Sequence, residues 1–302
     1  MRSRRLLWGA VLALAAPASA QDVDFEKVVI RTESVAAGLH VLFGQGGNIA
    51  VSTGSDGPVL VDDQFAPLAP KIEAAVRVLQ DAPVRFVVNT HWHSDHTGGN
   101  EPFGKSGALI VAHENVRRRM STTQFMAALG REFPPSPAAA LPVVTFDDGV
   151  TLHWNGEEIA VEHVDPAHTD GDALVWFRKA DAVHTGDTYV SGMFPFVDVS
   201  SGGSLAGVIR SAERVLAQVG PATTIIPGHG PLSNAEELRA WREMLIVARD
   251  RVKAALAAGK TLEAAQAERP FADLEARYGQ GFMNAERFLA VLWSDLTRPN
   301  KE

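Results

Sequence analysis

Residues 91–96 read His91-Trp92-His93-Ser94-Asp95-His96, three imidazoles and a carboxylate within six positions. Such side chains make poor core material, because each buried polar group left without a partner costs roughly 1–3 kcal/mol. A divalent metal satisfies all of them together, since neutral imidazole and carboxylate are preferred ligands of zinc. The alternative is a solvated polar loop whose histidines are incidental. Position favours the metal: the run follows Val84-Arg85-Phe86-Val87-Val88, which reads as a buried strand, and precedes the turn residues Gly98-Gly99-Asn100. On a strand His91 and His93 face the same side, and the tight turn can re-aim Asp95 and His96 toward a second point.

Three further polar residues close apolar runs. His168 follows Ile159–Val164, Asp187 follows Ala182-Val183, and His229 ends Ile225-Ile226-Pro227-Gly228, where glycine permits close backbone approach. Loops from several strand ends converge readily on one site. Singly, each of these residues is more readily structural. Joined to the six-residue run, they form a specific pattern.

The elements that must position them alternate between strand and helix. Val28–Ile30, Leu39–Phe43, Ile49–Ser52 and Val59–Val61 are short apolar runs broken by glycine and read as a meander of strands. Helical spacing covers Pro67–Leu79 and Glu114–Leu129, with a strand at Ala108–Ala112 between them. The segment 133–142, rich in Pro and Ala, reads as an irregular loop. In the second half, strands are expected at Val143–Phe146, Leu152–Trp154, Ile159–His163, Ala173–Phe177, Ala182–His184 and Thr223–Ile226, with a helix over Ser204–Val219. From Ser233, paired with Glu236 as a capping box, the pattern is helical to Gly259, with shorter helices at Leu262–Ala267 and Ala285–Leu296.

Residues 1–20 carry the basic, apolar and small-residue zones of a signal peptide: Arg2, Arg4 and Arg5, then Leu6–Ala16, then Ala18-Ser19-Ala20. Cleavage after Ala20 implies a periplasmic or secreted protein with no membrane anchor, because the apolar stretch is too short for a bilayer of about 30 Å. Cleavage also removes three positive charges from a formal −8, leaving −11. An acidic chain lacks the electrostatic footprint for nucleic acid and points to a small-molecule substrate. There is no cysteine, so the protein rests on its hydrophobic core and every metal ligand is His, Asp, Glu or water.

The arrangement resembles the metallo-β-lactamase superfamily over about Val28 to Leu232, from the acidic motif Val59-Leu60-Val61-Asp62 through the six-residue run to the later His, Asp and His in order. The resemblance implies an α/β protein, a four-layer αβ/βα sandwich over residues 21–232, with 233–302 a helical extension packed on the same domain. It also implies two metals, usually zinc. By the resemblance, His91, His93 and His168 hold one metal, Asp95, His96 and His229 the other, Asp187 bridges them, and Asp62 orients the loop. His184, His113 and His163 are then strand-end residues or residues behind the ligands, while His40 and His153 are incidental. Two metals about 3.5–4 Å apart lower the pKa of a shared water toward 7, and Asp95 would orient that nucleophile.

The expected activity is that of an exported dinuclear zinc hydrolase opening a β-lactam or lactone. The alternatives are hydrolysis of another small ester, thioester or phosphoester, and a non-catalytic metal-binding protein that keeps the fold. Asp187 stands where the lactamase subclasses place Cys or Ser, so it looks more like the lactonase and thioesterase branches. Thr188–Gly192 offers no cation for a substrate carboxylate. Phe194 and Phe196 are expected to form a pocket wall, and Ser200 and Ser201 to bind an anionic group through backbone N–H groups ahead of a helix.

Overall fold

A computed structural model describes residues 23–298, so the signal-peptide assignment lies outside the described residues. The first half contains β1 (Arg31–Ala36), β2 (Leu39–Phe43), β3 (Ile49–Ser52), β4 (Val59–Val61), α1 (Ala69–Leu79), β5 (Phe86–Val88), α2 (Ser94–Thr97), α3 (Asn100–Lys105), β6 (Leu109–His113), α4 (Glu114–Met120), β7 (Gln124–Met126), β8 (Arg131–Phe133) and β9 (Val144–Phe146). The second half contains β10 (Gly149–Trp154), β11 (Glu157–His163), β12 (Ala173–Phe177), β13 (Ala182–His184), α5 (Leu205–Leu216), β14 (Thr224–Ile226), α6 (Ala235–Ala257), α7 (Leu262–Ala267), α8 (Ala272–Tyr278) and α9 (Ala285–Leu296).

The strands form a seven-stranded sheet in the order β1-β2-β3-β4-β5-β6-β9, a five-stranded sheet β10-β11-β12-β13-β14, and a hairpin of β7 with β8. Period-two alternation stacks the two large sheets, because successive side chains leave opposite faces. In β4, Val59 and Val61 point into the core between the sheets with Val88, Val111, Val175 and Ile226, while Leu60 packs outward with Ile72 and Val76 of α1. In β12, Ala173, Val175 and Phe177 face the same central core, and Leu174 and Trp176 face Val208, Trp241 and Leu245 of α5 and α6. The layers are therefore helix, sheet, sheet, helix: the α/β four-layer sandwich expected from the sequence. The start of the C-terminal region, α6, is a member of the outer helical layer, and α7 to α9 close beside it through Phe271, Phe288 and Leu292.

Several element boundaries differ from the sequence reading. The strand expected at Val28–Ile30 does not form, since Val28 and Ile30 pack on the cluster around α1, and the first strand is Arg31–Ala36, which was not anticipated. The helix expected over 114–129 stops at Met120, and the chain turns back at Gly130, in the left-handed region at φ 59°, to make the β7–β8 hairpin. Asn234, not Ser233, caps α6, its side chain accepting from the N–H groups of Glu236 and Glu237. Ser233 instead bridges Tyr189 and Glu237 through its hydroxyl. The helix Ala272–Tyr278 was not anticipated.

Parallel pairing of β4 with β5, of β5 with β6 and of β13 with β14 decides where a site can form. Carboxyl ends of parallel strands lie side by side, so the loops after β4, β5, β13 and β14 open on one edge.

Candidate metal centre

The loops at that edge carry the polar residues singled out by the sequence. Asp62 follows β4, His91 to His96 follow β5, Asp187 follows β13 and His229 follows β14. His168, from the β11–β12 connection, completes the group. Three sets of ligand atoms lie within 4.8 Å of one another: His91, His93 and His168; Asp95, His96 and His229; and His91, His96 and Asp187. Asp187 also has oxygens 3.2 Å from His96 Nε2, 3.4 Å from His229 Nε2 and 3.7 Å from His168 Nε2, which puts it between the two histidine groups.

Hydrogen bonds on the far side of the rings set which nitrogen faces the centre. His168 Nδ1 donates to the Phe196 carbonyl at 2.7 Å, so its Nε2 is unprotonated in the neutral ring. His93 Nε2 faces the Asp198 carboxylate at 3.0 Å, leaving Nδ1 bare. His96 Nδ1 donates to Asp62 Oδ2 at 2.7 Å. The Thr90 hydroxyl gives its proton to Asp62, so at 3.1 Å from His91 Nδ1 it accepts, and His91 Nε2 is bare. That nitrogen is buried without any hydrogen-bond partner. His168 Nε2 and His93 Nδ1 then oppose lone pair to lone pair at 2.9 Å. Such a set of inward lone pairs is stable around a cation and repulsive without one. Bonds of this kind on the outer nitrogen fix ring tautomer and orientation in metal sites. The donor set therefore fits divalent metal, and its all-nitrogen group fits zinc.

At the three-histidine group burial and like neighbours act in the same direction, whereas at His96 and His229 burial is outweighed by the charges of Asp187 and Asp95, which hold the rings above the usual imidazole pKa. Burial, then the charges of His96 and His168, hold His91 well below the usual imidazole pKa. Burial followed by His93 brings His168 to about 4. Burial works against ionisation of Asp198, yet the hydrogen bond from His93 overrides it and keeps the carboxyl below the usual range. Neutral imidazoles and ionised carboxylates are the forms that bind metal.

The backbone accommodates this crowding at defined positions. A Cβ on Gly47 would sit 2.2 Å from His96 Cε1, and one on Gly228 would sit 2.0 Å from Asp187 Oδ1, so neither position accepts a side chain. Asp62 itself sits at φ 63°, a conformation Asp tolerates better than most residues. It is held there by the Thr90 N–H, the Thr90 hydroxyl and His96.

The centre forms the floor of a cleft of about 560 Å³, walled by Phe65, Trp92, Met126, Phe133, Phe196 and Phe282. Asp95, Asp187, His93 and His229 open into it. Phe196, one of the two aromatic residues expected there, lines the cleft and packs 5.8 Å from His168. Phe194 touches the cleft but is 2 % exposed and stacks on Phe288 at 4.6 Å, so its main role is in the core. The serine turn spends donors that the sequence reading assigned to an anionic group. Ser201 N–H donates to Asp198, Gly202 N–H to Val199 and Gly203 N–H to Asp198, so these three donors are spent within the turn. The Ser201 hydroxyl takes the Trp92 indole N–H, and the Ser200 hydroxyl bonds Asp198. His184 lies behind the site, bonded to the Asn48 carbonyl and the Gly186 N–H. His113 and His163 stack on each other at 3.8 Å, away from the centre.

Asp198, Thr90 and the Phe196 carbonyl orient ligands, yet ligand spacing does not reveal them. A usable signal for Asp198 was its place in Phe196-Val197-Asp198-Val199, where an acid flanked by apolar residues must find a partner. Arg131, on the hairpin, also reaches the cleft.

Among curated proteins, hydroxyacylglutathione hydrolase of Pelagibacter ubique is 24% identical over 119 residues, covering 38% of this chain and 41% of that one. Metallo-beta-lactamase IND-1 of Chryseobacterium indologenes is 24% identical over 154 residues, covering 51% and 59%. The chain thus spans about half the length of the curated relatives it matches. Solved structures share the fold: a metallo-beta-lactamase from Pontibacter korlensis at TM-score 0.59 and 18% identity, covering 72% of this chain and 98% of that one, and the DIM-1 metallo-beta-lactamase at 0.59 and 19%, covering 74% and 100%. The family model of the metallo-beta-lactamase superfamily matches residues 42–229, the span that holds every donor described above and more than half of the 302 residues, so the chain belongs to that superfamily.

Proposed function

We propose that this protein is an exported hydrolase that binds two zinc ions and opens a cyclic amide or ester, a β-lactam or a lactone. The observation that carries the reading is the inward convergence of unprotonated ring nitrogens from His91, His93 and His168, beside Asp95, His96, Asp187 and His229, on the floor of an apolar cleft. His91, His93 and His168 would hold one metal, Asp95, His96 and His229 the other, with Asp187 shared. When bound, the metals supply a water acidified toward neutral pH and an electrophile that polarises the scissile carbonyl.

The chain's own groups do the rest. Asp95 opens on the cleft, with Oδ2 3.3 Å from His229 Nε2, and is placed to orient the attacking water and take its proton. Trp92, Phe133 and Phe196 exclude bulk water beside it, which strengthens each electrostatic contact at the reacting centre. Asp198, Asp62 and Thr90 hold the imidazoles in one tautomer throughout. The acidic chain and the small cleft favour a small-molecule substrate over nucleic acid. The basic, apolar and small-residue zones of residues 1–20 support export to the periplasm or beyond.

Asp187 favours one second reading, hydrolysis of a small ester or thioester, in keeping with the likeness to a hydroxyacylglutathione hydrolase. Hydrolysis of a chromogenic cephalosporin, a lactone and an S-acyl thiol by zinc-loaded protein, each beside a chelated sample, tests both. Chelator-sensitive ring opening of the first two supports β-lactam or lactone hydrolysis, and turnover of the thioester alone moves the second reading forward. Inactivity toward all three by protein shown to hold two zinc ions rejects both.

A further inference from the structure

The cleft holds one permanent cation among the described residues, and nothing in the sequence pattern marked it. Arg131 begins β8, the return strand of the hairpin, and lines the same cleft as Asp95, Asp187, His93 and His229. Its guanidinium lies 5.2 Å from the ring centroid of Phe133, a neighbour on the same wall. Among the described residues it has no carboxylate within ion-pair distance, whereas three of the six other described arginines of the same half are ion-paired: Arg31 with Glu33, Arg77 with Glu73 and Asp81, Arg119 with Asp170. An exposed arginine stacked on an aromatic ring keeps its five donors free for a planar anion.

The surroundings define the remainder of the ligand. Leu129 on the hairpin and Phe282 of the C-terminal region are 46% and 57% exposed, and both line the cleft. Between them the wall is Trp92, Met126, Phe133 and Phe196. Exposed apolar side chains rimming a cleft are the pattern of a surface that an apolar ligand covers. An anionic group alone would leave that wall wet, and an apolar group alone would leave Arg131 without its partner.

We propose that Arg131 is the anion-recognising residue of this cleft, so that the substrate joins a negatively charged group to an apolar body lying along the aromatic wall. The inference rests on the cleft being the substrate site of the hydrolase proposed above. It also replaces the recognition by Ser200 and Ser201 expected from the sequence, whose donors are turned inward. Because Arg131 is carried by the hairpin and not by a metal-bearing loop, its contribution falls on binding and selectivity, and the reacting groups are untouched.

Two measurements on zinc-loaded protein test it. In the first, fluorescence titration compares 8-anilinonaphthalene-1-sulfonate with N-phenyl-1-naphthylamine, the same aromatic body without the anion. The sulfonate is a poor metal ligand, so the floor does not confuse the comparison. The ratio of the two affinities should fall about tenfold in Arg131→Gln and be partly restored in Arg131→Lys. A ratio unmoved by Arg131→Gln overturns the proposal. In the second, mono-4-nitrophenyl glutarate is compared with 4-nitrophenyl butyrate. Wild-type KM should be about tenfold lower for the carboxylated ester, and Arg131→Gln should collapse that preference through KM with kcat little changed. Turnover of both esters with no preference rejects the anion site and leaves the hydrolase standing. Absence of turnover with a sulfonate preference that depends on Arg131 rejects the hydrolase and leaves the anion site.

Discussion

Replacing Asp198 by Asn tests whether the tautomers deduced from the far-side hydrogen bonds govern metal affinity. Asp198 accepts from His93 through Oδ2 at 3.0 Å, and through Oδ1 from the Ser200 hydroxyl and the Ser201 N–H. Asparagine has the same shape but only one acceptor oxygen. If its oxygen faces His93, its NH2 group opposes the Ser201 N–H, donor to donor. If its oxygen faces Ser201, the NH2 group forces His93 Nε2 to accept, moves the ring proton to Nδ1 and takes that nitrogen out of the donor set. Even in the better orientation, a charge-assisted bond of about 1.5–3 kcal/mol becomes a neutral one of about 1 kcal/mol. The difference of about 1–2 kcal/mol corresponds to roughly tenfold in an equilibrium constant. Loss of such partners typically costs 10–100-fold in metal affinity or activity, which brackets the expected result. Competition with a chromophoric chelator should show one zinc weakened by about that factor and the other much less affected. Ser200→Ala, which removes only the hydroxyl contact, should leave both affinities close to wild type. Unchanged zinc affinity in Asp198→Asn would refute the tautomer argument and, with it, the assignment of His93 Nδ1 as a donor.

Three other changes bear on different parts of the molecule. Gly47→Ala places a methyl 2.2 Å from His96 Cε1 and should force that ring off Asp62, costing about 1–3 kcal/mol and one metal; elemental analysis showing two metals per chain would contradict it. Phe288→Ala removes the partner of the 4.6 Å stack on Phe194 and should cost about 3–5 kcal/mol in urea unfolding, whereas a C-terminal region merely appended to the sandwich would lose far less. Burial, then the neighbouring His163, holds His113 below the ordinary imidazole pKa, so its stabilising contribution is complete above about pH 6.5 and is lost as pH falls through the lower folded value. His113 Nδ1 also accepts from the Asn115 N–H at the start of α4, so His113→Asn keeps a cap and removes the titration. The variant's melting temperature should fall less than that of wild type between pH 7 and pH 5, and an equal fall would exclude His113 from acid sensitivity.

How much the sequence revealed depended on whether a residue's role lay in its spacing or in its partner. The layers followed from alternation in runs such as Val59-Leu60-Val61 and Ala173–Phe177, where each face is buried against a different layer. The donor residues were legible because seven polar side chains closing apolar strands need a common explanation. Asp198 and Thr90 were not, because each acts through a contact distant in sequence: Asp198 meets His93 across 105 positions and Thr90 meets Asp62 across 28. Arg131 was hidden because its strand, β8, follows a segment that reads as helix. The hairpin was mistaken for helix because Phe125, Met126 and Leu129 suit helical spacing. In the fold, only Met126 is buried while Phe125 and Leu129 face outward, and Gly130 supplies the left-handed turn. The serine turn misled for a related reason: a helix start offers N–H groups, but Asp198 and Val199 had already taken them.

The contacts around the centre also explain why it should couple to the fold as a whole. His93 belongs to the first half and meets His168 and Asp198 of the second; His96 meets His229 in the same way. Beside them, the Asn48 side chain donates to the Pro227 and Gly230 carbonyls, and the Trp92 indole donates to Ser201. Every one of these contacts joins the first half of the chain to the second. Opposed lone pairs at 2.9 Å work against that docking, and a cation shared by His93 and His168 converts the same contact into attraction. Metal affinity is then partly docking free energy between the halves, since ligands gathered from both are not assembled in the unfolded chain. A metal present at 1,000 times its Kd adds about 4 kcal/mol to folding stability, enough to dominate the margin of an ordinary domain. The apolar core between the sheets supplies the docking force, and the polar edge at the strand ends sets the register in which that force yields a usable site.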